Sequence, residues 1–142
     1  MSLAKRTAVT GVRKNAKGEV IAFNINRKNW GRGKRGGSLL DIRNLEDGSQ
    51  QINMCCLGVY GRACGIGVKR LRGKGMPLDV RNLPKQMSWT IKKYMFGRDN
   101  SGAAISLAKT NDANKTSDKK KEATIIRRFA KQGIRVRFVG KG

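Results

Sequence analysis

Thirty-two lysines and arginines stand against nine aspartates and glutamates in this 142-residue chain, and with no histidine the formal net charge is +23. Charge of one sign repels itself and opposes compaction. Any fold must therefore keep its cations on the surface and bury enough apolar chain to overcome that repulsion. A chain of this length can bury roughly 68–70% of its unfolded surface, and hydrophobic residues make up 38% of it. These residues cluster into periodic segments, which predicts one folded domain over residues 1–142 with mobile basic stretches. Solubility alone calls for a net charge of only about 2–8. The surplus points to a polyanionic partner: nucleic acid, DNA or RNA, with an acidic host protein as the alternative and no membrane span.

The apolar periodicity predicts an α+β fold with an N-terminal β-hairpin. Thr7–Val12 and Glu19–Ile25 are β-prone, the second with Ile21, Phe23 and Ile25 alternating, and Arg13–Gly18 supplies turn residues between them. Leu39–Tyr60 holds three acids against the single base Arg43, so it reads as core. Asn53–Gly65 reads as a buried helix with Cys56, Tyr60 and Cys64 on one face and Gly65 as its stop. Gly58 and Gly61 weaken such a helix by about 1 kcal/mol each, which is tolerable where another backbone must pack close. Gln86–Phe96 fits a short helix or a strand.

The C-terminal third is an amphipathic helix followed by a strand. Ser117 is a good N-cap, Asp118 suits the first turn, and Gly133 ends the helix after Gln132. At about 100° per residue, Ala123, Ile125, Ile126, Phe129 and Ala130 share one arc, while Lys120, Lys121, Arg127, Arg128 and Lys131 share the other. Beyond Gly133, Ile134, Val136 and Phe138 alternate with Arg135 and Arg137, the apolar residues facing inward.

Two stretches read as flexible basic loops, at about 27–37 and 69–75. The first lacks the order of a phosphate-binding P-loop, yet its glycines let cations follow a phosphate backbone. Trp30 is either a stacking platform for an unpaired base or a core residue. The candidate nucleic-acid contacts are Trp30, Arg32, Lys34, Arg35, Lys69, Arg70, Arg72, Arg127, Arg128, Lys131, Arg135 and Arg137. Few aromatics or amides interrupt these basic runs, so phosphate contact is expected to dominate over base readout.

Catalysis is not expected. Without histidine there is no Ser-His or Cys-His nucleophile system. Cys55, Cys56 and Cys64 lack zinc-ligand spacing, and no metal or cofactor is expected. Three cysteines without a disulfide framework fit a reducing compartment, the cytoplasm. Asp41 and Asp79 are candidate catalytic carboxylates only because acids are scarce; a cap or a salt bridge is the plainer role for each.

The run Met54-Cys55-Cys56-Leu57-Gly58-Val59, with Asp47-Gly48 before it and Ala63-Cys64-Gly65 after it, resembles small uncharacterised phage and prophage proteins. The likeness continues in Gly75-Met76-Pro77, in Leu107 with Asn111-Asp112, in Ser117-Asp118, and in Phe129-Ala130, Gly133-Ile134, Val136 and Phe138-Val139. It covers most of the chain from Trp30 onward. The resemblance implies a phage or prophage origin, hence the cytoplasm of an infected bacterial host, and no established activity. This chain departs from the family at Lys119, Lys120, Lys121, Arg135 and Arg137, where the resemblance implies acids. Such exchange means either a polyanion-facing role or deliberate supercharging without an evolved ligand.

Overall fold

The computed structural model describes residues 3–33, 36–91 and 102–141. After a short helix α1 (Leu3–Arg6) come strands β1 (Arg13–Lys14), β2 (Val20–Asn26), β3 (Asp41–Asn44) and β4 (Gln50–Asn53), then helix α2 (Cys56–Ala63). The helical turn α3 (Val68–Leu71), helices α4 (Gly102–Asp112) and α5 (Asp118–Ala130), and strand β5 (Arg135–Val139) follow. The class is α+β. One sheet has the order β1-β2-β5, with β1 antiparallel and β5 parallel to β2; β3 and β4 form a second, antiparallel pair.

The N-terminal hairpin forms, but later in the chain than its residues predict. The strand ladder forms at Arg13 and Lys14, within the expected connector, while of Thr7–Val12 Thr10 reaches β2, its carbonyl accepting from the Asn24 N–H (2.9 Å). The reason is the Asn15 side chain, which accepts hydrogen bonds from the backbone N–H of Lys17 (3.0 Å) and of Glu19 (3.0 Å). That closes a tight turn, completed by Gly18 at a positive φ of 80°. Upstream, Gly11 at φ 66° interrupts the extended run. In β2, Phe23 and Ile25 are buried as expected, whereas Ile21 is 38% exposed and Val20 takes the buried position. Gln86 fixes Val20, its side chain accepting from the Val20 N–H (2.7 Å) and donating to the Val20 carbonyl (3.0 Å).

Helix α2 lies in the core, and Gly58 explains how. A Cβ there would overlap the Leu39 carbonyl oxygen, so only glycine lets these two backbones meet. The helix starts three residues later than expected because Asn53 still belongs to β4 and Met54 bridges Trp30. Its Tyr60 stacks on Phe23 with centroids 5.7 Å apart and meets Phe129 of α5 edge-on at 5.4 Å. Trp89 closes the cluster, donating through Nε1 to the Tyr60 hydroxyl at 3.1 Å. Trp89 lies in a 3-10 segment, Lys85–Thr90, which settles the first part of the ambiguous run; residues 92–96 lie outside the described residues.

The second expected loop is not a free loop. Val68–Leu71 is helical, Leu71 is buried, and the chain after it is tied to the core. Leu39 N–H donates to the Lys74 carbonyl (2.7 Å) and Gly73 N–H to the Leu40 carbonyl (3.0 Å). The apolar side chain of Leu71, among four basic neighbours, supplies the burial that anchors the turn.

The C-terminal unit follows its sequence closely. The Ser117 side chain accepts from the Lys120 N–H (3.3 Å), Ile125 and Phe129 are buried, and Ile134, Val136 and Phe138 face inward. Four residues depart: Ala123, Ile126 and Ala130 of the apolar arc are exposed, and Lys121, placed by periodicity on the solvent arc, is only 3% exposed. Lys121 sits one turn before Ile125, at the border of the buried stripe, with its ammonium beside the loop at Gly33. Among the described residues, no helix is long and apolar enough to cross a membrane.

Candidate functional site

Strand pairing places cations in a row. Arg13 of β1 is opposite Ala22 of β2, and Ala22 is opposite Arg135 of β5. Directly opposed residues project from the same face, so Arg13, Ala22 and Arg135 cross the sheet side by side. The next outward pair is Asn24 and Arg137. Phe23, Ile25, Val136 and Phe138 fill the other face, toward the core. At about 4.8 Å between strands, Arg13 and Arg135 are roughly 10 Å apart at their Cα atoms, close to the Debye length of about 8–10 Å. Their fields therefore overlap.

Nothing else in the described structure occupies these charges. The side chains of Arg13, Arg135 and Arg137 have no hydrogen-bond or ion-pair partner among the described residues. An open cleft of about 730 Å³ lies where this end of the sheet meets α5, with Arg13, Ala22 and Arg135 at its rim. Its aliphatic lining comes from Ile21 and Ile134 and from Ile126 and Ala130 of α5, and no carboxylate lines it.

The other expected contacts divide into several groups. Arg127 and Lys131 are exposed on α5, the element that packs on β5, and Arg128 is half-buried there. Lys69, Arg70 and Arg72 belong to α3 and its C-cap, a separate unit that packs on α2. Arg70 is engaged locally, its Nη2 donating to the carbonyls of Arg81 and Asn82. Lys34 and Arg35 lie outside the described residues.

Trp30 and Arg32 are turned inward: Trp30 is the core residue of its two readings, and Arg32 is not the free cation expected of it. Trp30 is 0% exposed; its Nε1 donates to Asn111 Oδ1 (2.7 Å), and its ring packs on Phe138 at 4.7 Å. Arg32 covers that ring with its guanidinium 4.6 Å from the centroid. It also donates to the carbonyls of Trp30 (2.8 Å) and Arg27 (3.0 Å) and pairs with Asp118 (3.0 Å), leaving its side chain 11% exposed. Residues 27–33 are thus held in place, although their sequence reads as mobile. Arg27 adds a two-pronged pair to Glu122, at 2.9 and 2.7 Å.

Amides are what the linear reading missed. Asn26 and Asn29, at and after the end of β2, meet Gln50 and Gln51 of β4 across a groove of about 720 Å³. Arg6 and Lys28 also line it, and no carboxylate does. The amides are dispersed in sequence; the signal that could have found them is the outward parity of Ala22, Asn24 and Asn26 along β2, which leads into the groove.

The remaining candidates have structural roles or none that reacts. Asp79 Oδ2 accepts from the Met76 N–H (3.3 Å), closing its own 3-10 turn, and Asp41 sits in the β3–β4 ladder. Among the described residues no group of three or more Cys, Asp or Glu is placed to hold a metal. Burial pushes the Cys55 thiol up to about 11, Cys56 well above its ordinary value, and Cys64 up to about 12. All three are therefore protonated and weakly nucleophilic at neutral pH. In a native-state titration at pH 7.5 with a disulfide reagent, they should react far more slowly than in denaturant, with half-buried Cys64 the fastest. Equal rates in the two conditions would contradict their burial.

Comparison of the chain with protein-family models, with curated proteins and with solved structures gives no match to any of them.

Proposed function

We propose that the chain is a non-enzymatic nucleic-acid-binding accessory protein of the phage type, which grips phosphates with the arginine row of its open sheet face. The observation that carries this reading is the row itself: Arg13, Arg135 and Arg137 project from one face, and none has a partner among the described residues. Like charges held this close destabilise a fold slightly unless an anion relieves them. A phosphate backbone supplies such anions at short, regular spacing, and arginine is the side chain suited to hold them in bidentate fashion. Arg127 and Lys131, at the end of α5, lie on the side of the helix away from Phe129 and so stand apart from the row.

A second reading draws on the cleft beside that row. Aliphatic walls beside two unpaired arginines also suit an acidic protein segment carrying apolar side chains, such as a host protein that the chain would block. Co-purification separates the two. Under the first reading, the material captured from a bacterial lysate by the tagged chain is nucleic acid and is lost on nuclease treatment. A defined protein retained after nuclease would favour the second. Equal affinity for DNA, RNA and heparin would favour a supercharged chain with no evolved ligand and would overturn both.

A further inference from the structure

We infer that the amide-lined groove between the end of β2 and the β3–β4 hairpin is a base-reading subsite for single-stranded nucleic acid, with a preference for adenine. This rests on the nucleic-acid reading above and adds what the phosphate row cannot supply, namely sequence preference.

The chemistry of the walls argues for it. Gln51 is half-buried on β4, and its amide has no partner among the described residues. Asn26 uses its Oδ1 to accept from the Lys28 N–H (3.1 Å), which leaves its Nδ2 donors free. Asn29 spends Nδ2 on a long bond to the Arg6 carbonyl (3.5 Å), which leaves its Oδ1 free to accept. The groove therefore offers an unused amide pair, extra donors and an extra acceptor. A carboxamide presents a donor and an acceptor side by side, the pattern that pairs bidentately with adenine through N6 and N7. Gln50 is already committed, accepting from Arg6 (3.2 Å) and donating to Asn44 (3.2 Å), and so holds the wall in shape.

Shape selects the single strand. Duplex DNA is read by a protein element that projects into its major groove, whereas a recess can take only a base that has left the stack. At about 720 Å³ the groove falls within the usual range for small-ligand sites, about 300–1,000 Å³. Charge selects an anionic chain: Arg6 and Lys28 stand at the groove, and the Lys28 ammonium has no partner among the described residues.

Continuity joins the two ends. The outward residues of β2 line first the arginine cleft (Ala22), then a small hollow beside Thr10 (Asn24 and Asn26), then the amide groove (Asn26). From Ala22 to Asn26 is roughly 13 Å at about 3.3 Å per residue. A short single strand can lay its phosphates on Arg13, Arg135 and Arg137 and turn a base into the groove.

The test is fluorescence anisotropy with labelled oligonucleotides of equal length at low salt: oligo-dA, oligo-dT, a mixed-sequence duplex, and heparin as competitor. The native chain should bind oligo-dA about fivefold or more tightly than oligo-dT or duplex, the low end of what one bidentate amide–adenine pair discriminates. Gln51→Glu keeps the shape and removes the amide donor; it should bring oligo-dA down to the level of oligo-dT. Melting the variant confirms that it folds, and the comparison on the native chain stands without it. Equal binding of oligo-dA, oligo-dT and duplex would overturn the subsite while leaving the phosphate reading intact, provided that binding still falls with salt. No binding to any nucleic acid, with polyglutamate bound instead, would overturn both readings and assign the groove to a protein partner.

Discussion

Affinity for a nucleic-acid oligomer should fall about 10³–10⁵-fold between 50 and 200 mM salt if six to ten phosphates are engaged. In the proposed mode these contacts fall to Arg13, Arg135 and Arg137 of the row and Lys28 at the groove, each exposed and without a side-chain partner among the described residues, with other exposed lysines and arginines adding to them. The effect is a counterion effect. Each phosphate neutralised by a lysine or arginine releases a condensed cation, and that release is worth less as bulk salt rises. The predicted loss corresponds to about 4–7 kcal/mol. Structural arginines contribute little to it: Arg27, Arg32 and Arg70 already donate to carboxylates or carbonyls within the chain. A binding curve that barely moves with salt would mean that apolar or amide contacts carry the affinity, and the arginine row would lose its role.

Asn111→Ala should lower stability by about 3–5 kcal/mol, since each buried hydrogen-bonding group left unpaired costs about 1–3 kcal/mol. Asn111 is wholly buried on α4 and ties three parts of the fold together. Its Oδ1 accepts from Trp30 Nε1 (2.7 Å) and from the Cys56 N–H (3.2 Å), the first free donor of α2. Its Nδ2 donates to the Gly31 carbonyl (2.7 Å) and to Asp112 (2.9 Å). Truncation leaves the indole N–H, one helix N–H and one carbonyl without partners in the core. Against a total stability of about 5–15 kcal/mol, that is a large fraction. Thermal or denaturant unfolding measures it, with the exposed neighbour Asn114→Ala as control, which should stay within about 0.5 kcal/mol. Equal effects from the two variants would contradict the role given to Asn111.

The same residue shows where the sequence stops being informative. Trp30 sits among cations and glycines, and its neighbours suggest solvent; its partner Asn111 is 81 positions away. Only tertiary contact turns the ring inward and brings Arg32 over it. Lys121 misleads for a related reason: what covers it is the loop at Gly33, far away in sequence. By contrast, the α5–β5 unit is local. The Ser117 cap, the apolar stripe ending in Phe129, the stop at Gly133 and the alternation through Phe138 each specify a feature within a few residues of themselves. The outward direction of Arg135 and Arg137 is legible for that reason. Their neighbour Arg13 is not, because it lies in what reads as a turn and reaches the row only through the register of β1 on β2. The amide groove joins Asn26 and Asn29 to Gln50 and Gln51 across two sheets, and no run of sequence contains it.

The central claim is that the charge acts through a particular face and not as a diffuse cloud. Two variants of equal net charge test it: Arg13→Gln/Arg135→Gln/Arg137→Gln on the sheet, and Lys69→Gln/Arg72→Gln/Lys74→Gln around α3. In the slope of log affinity against log salt, the sheet variant should lose about 2–3 units, at about 0.7–0.9 per phosphate contact, while the α3 variant keeps the native slope. Identical slopes for the two variants would contradict the account.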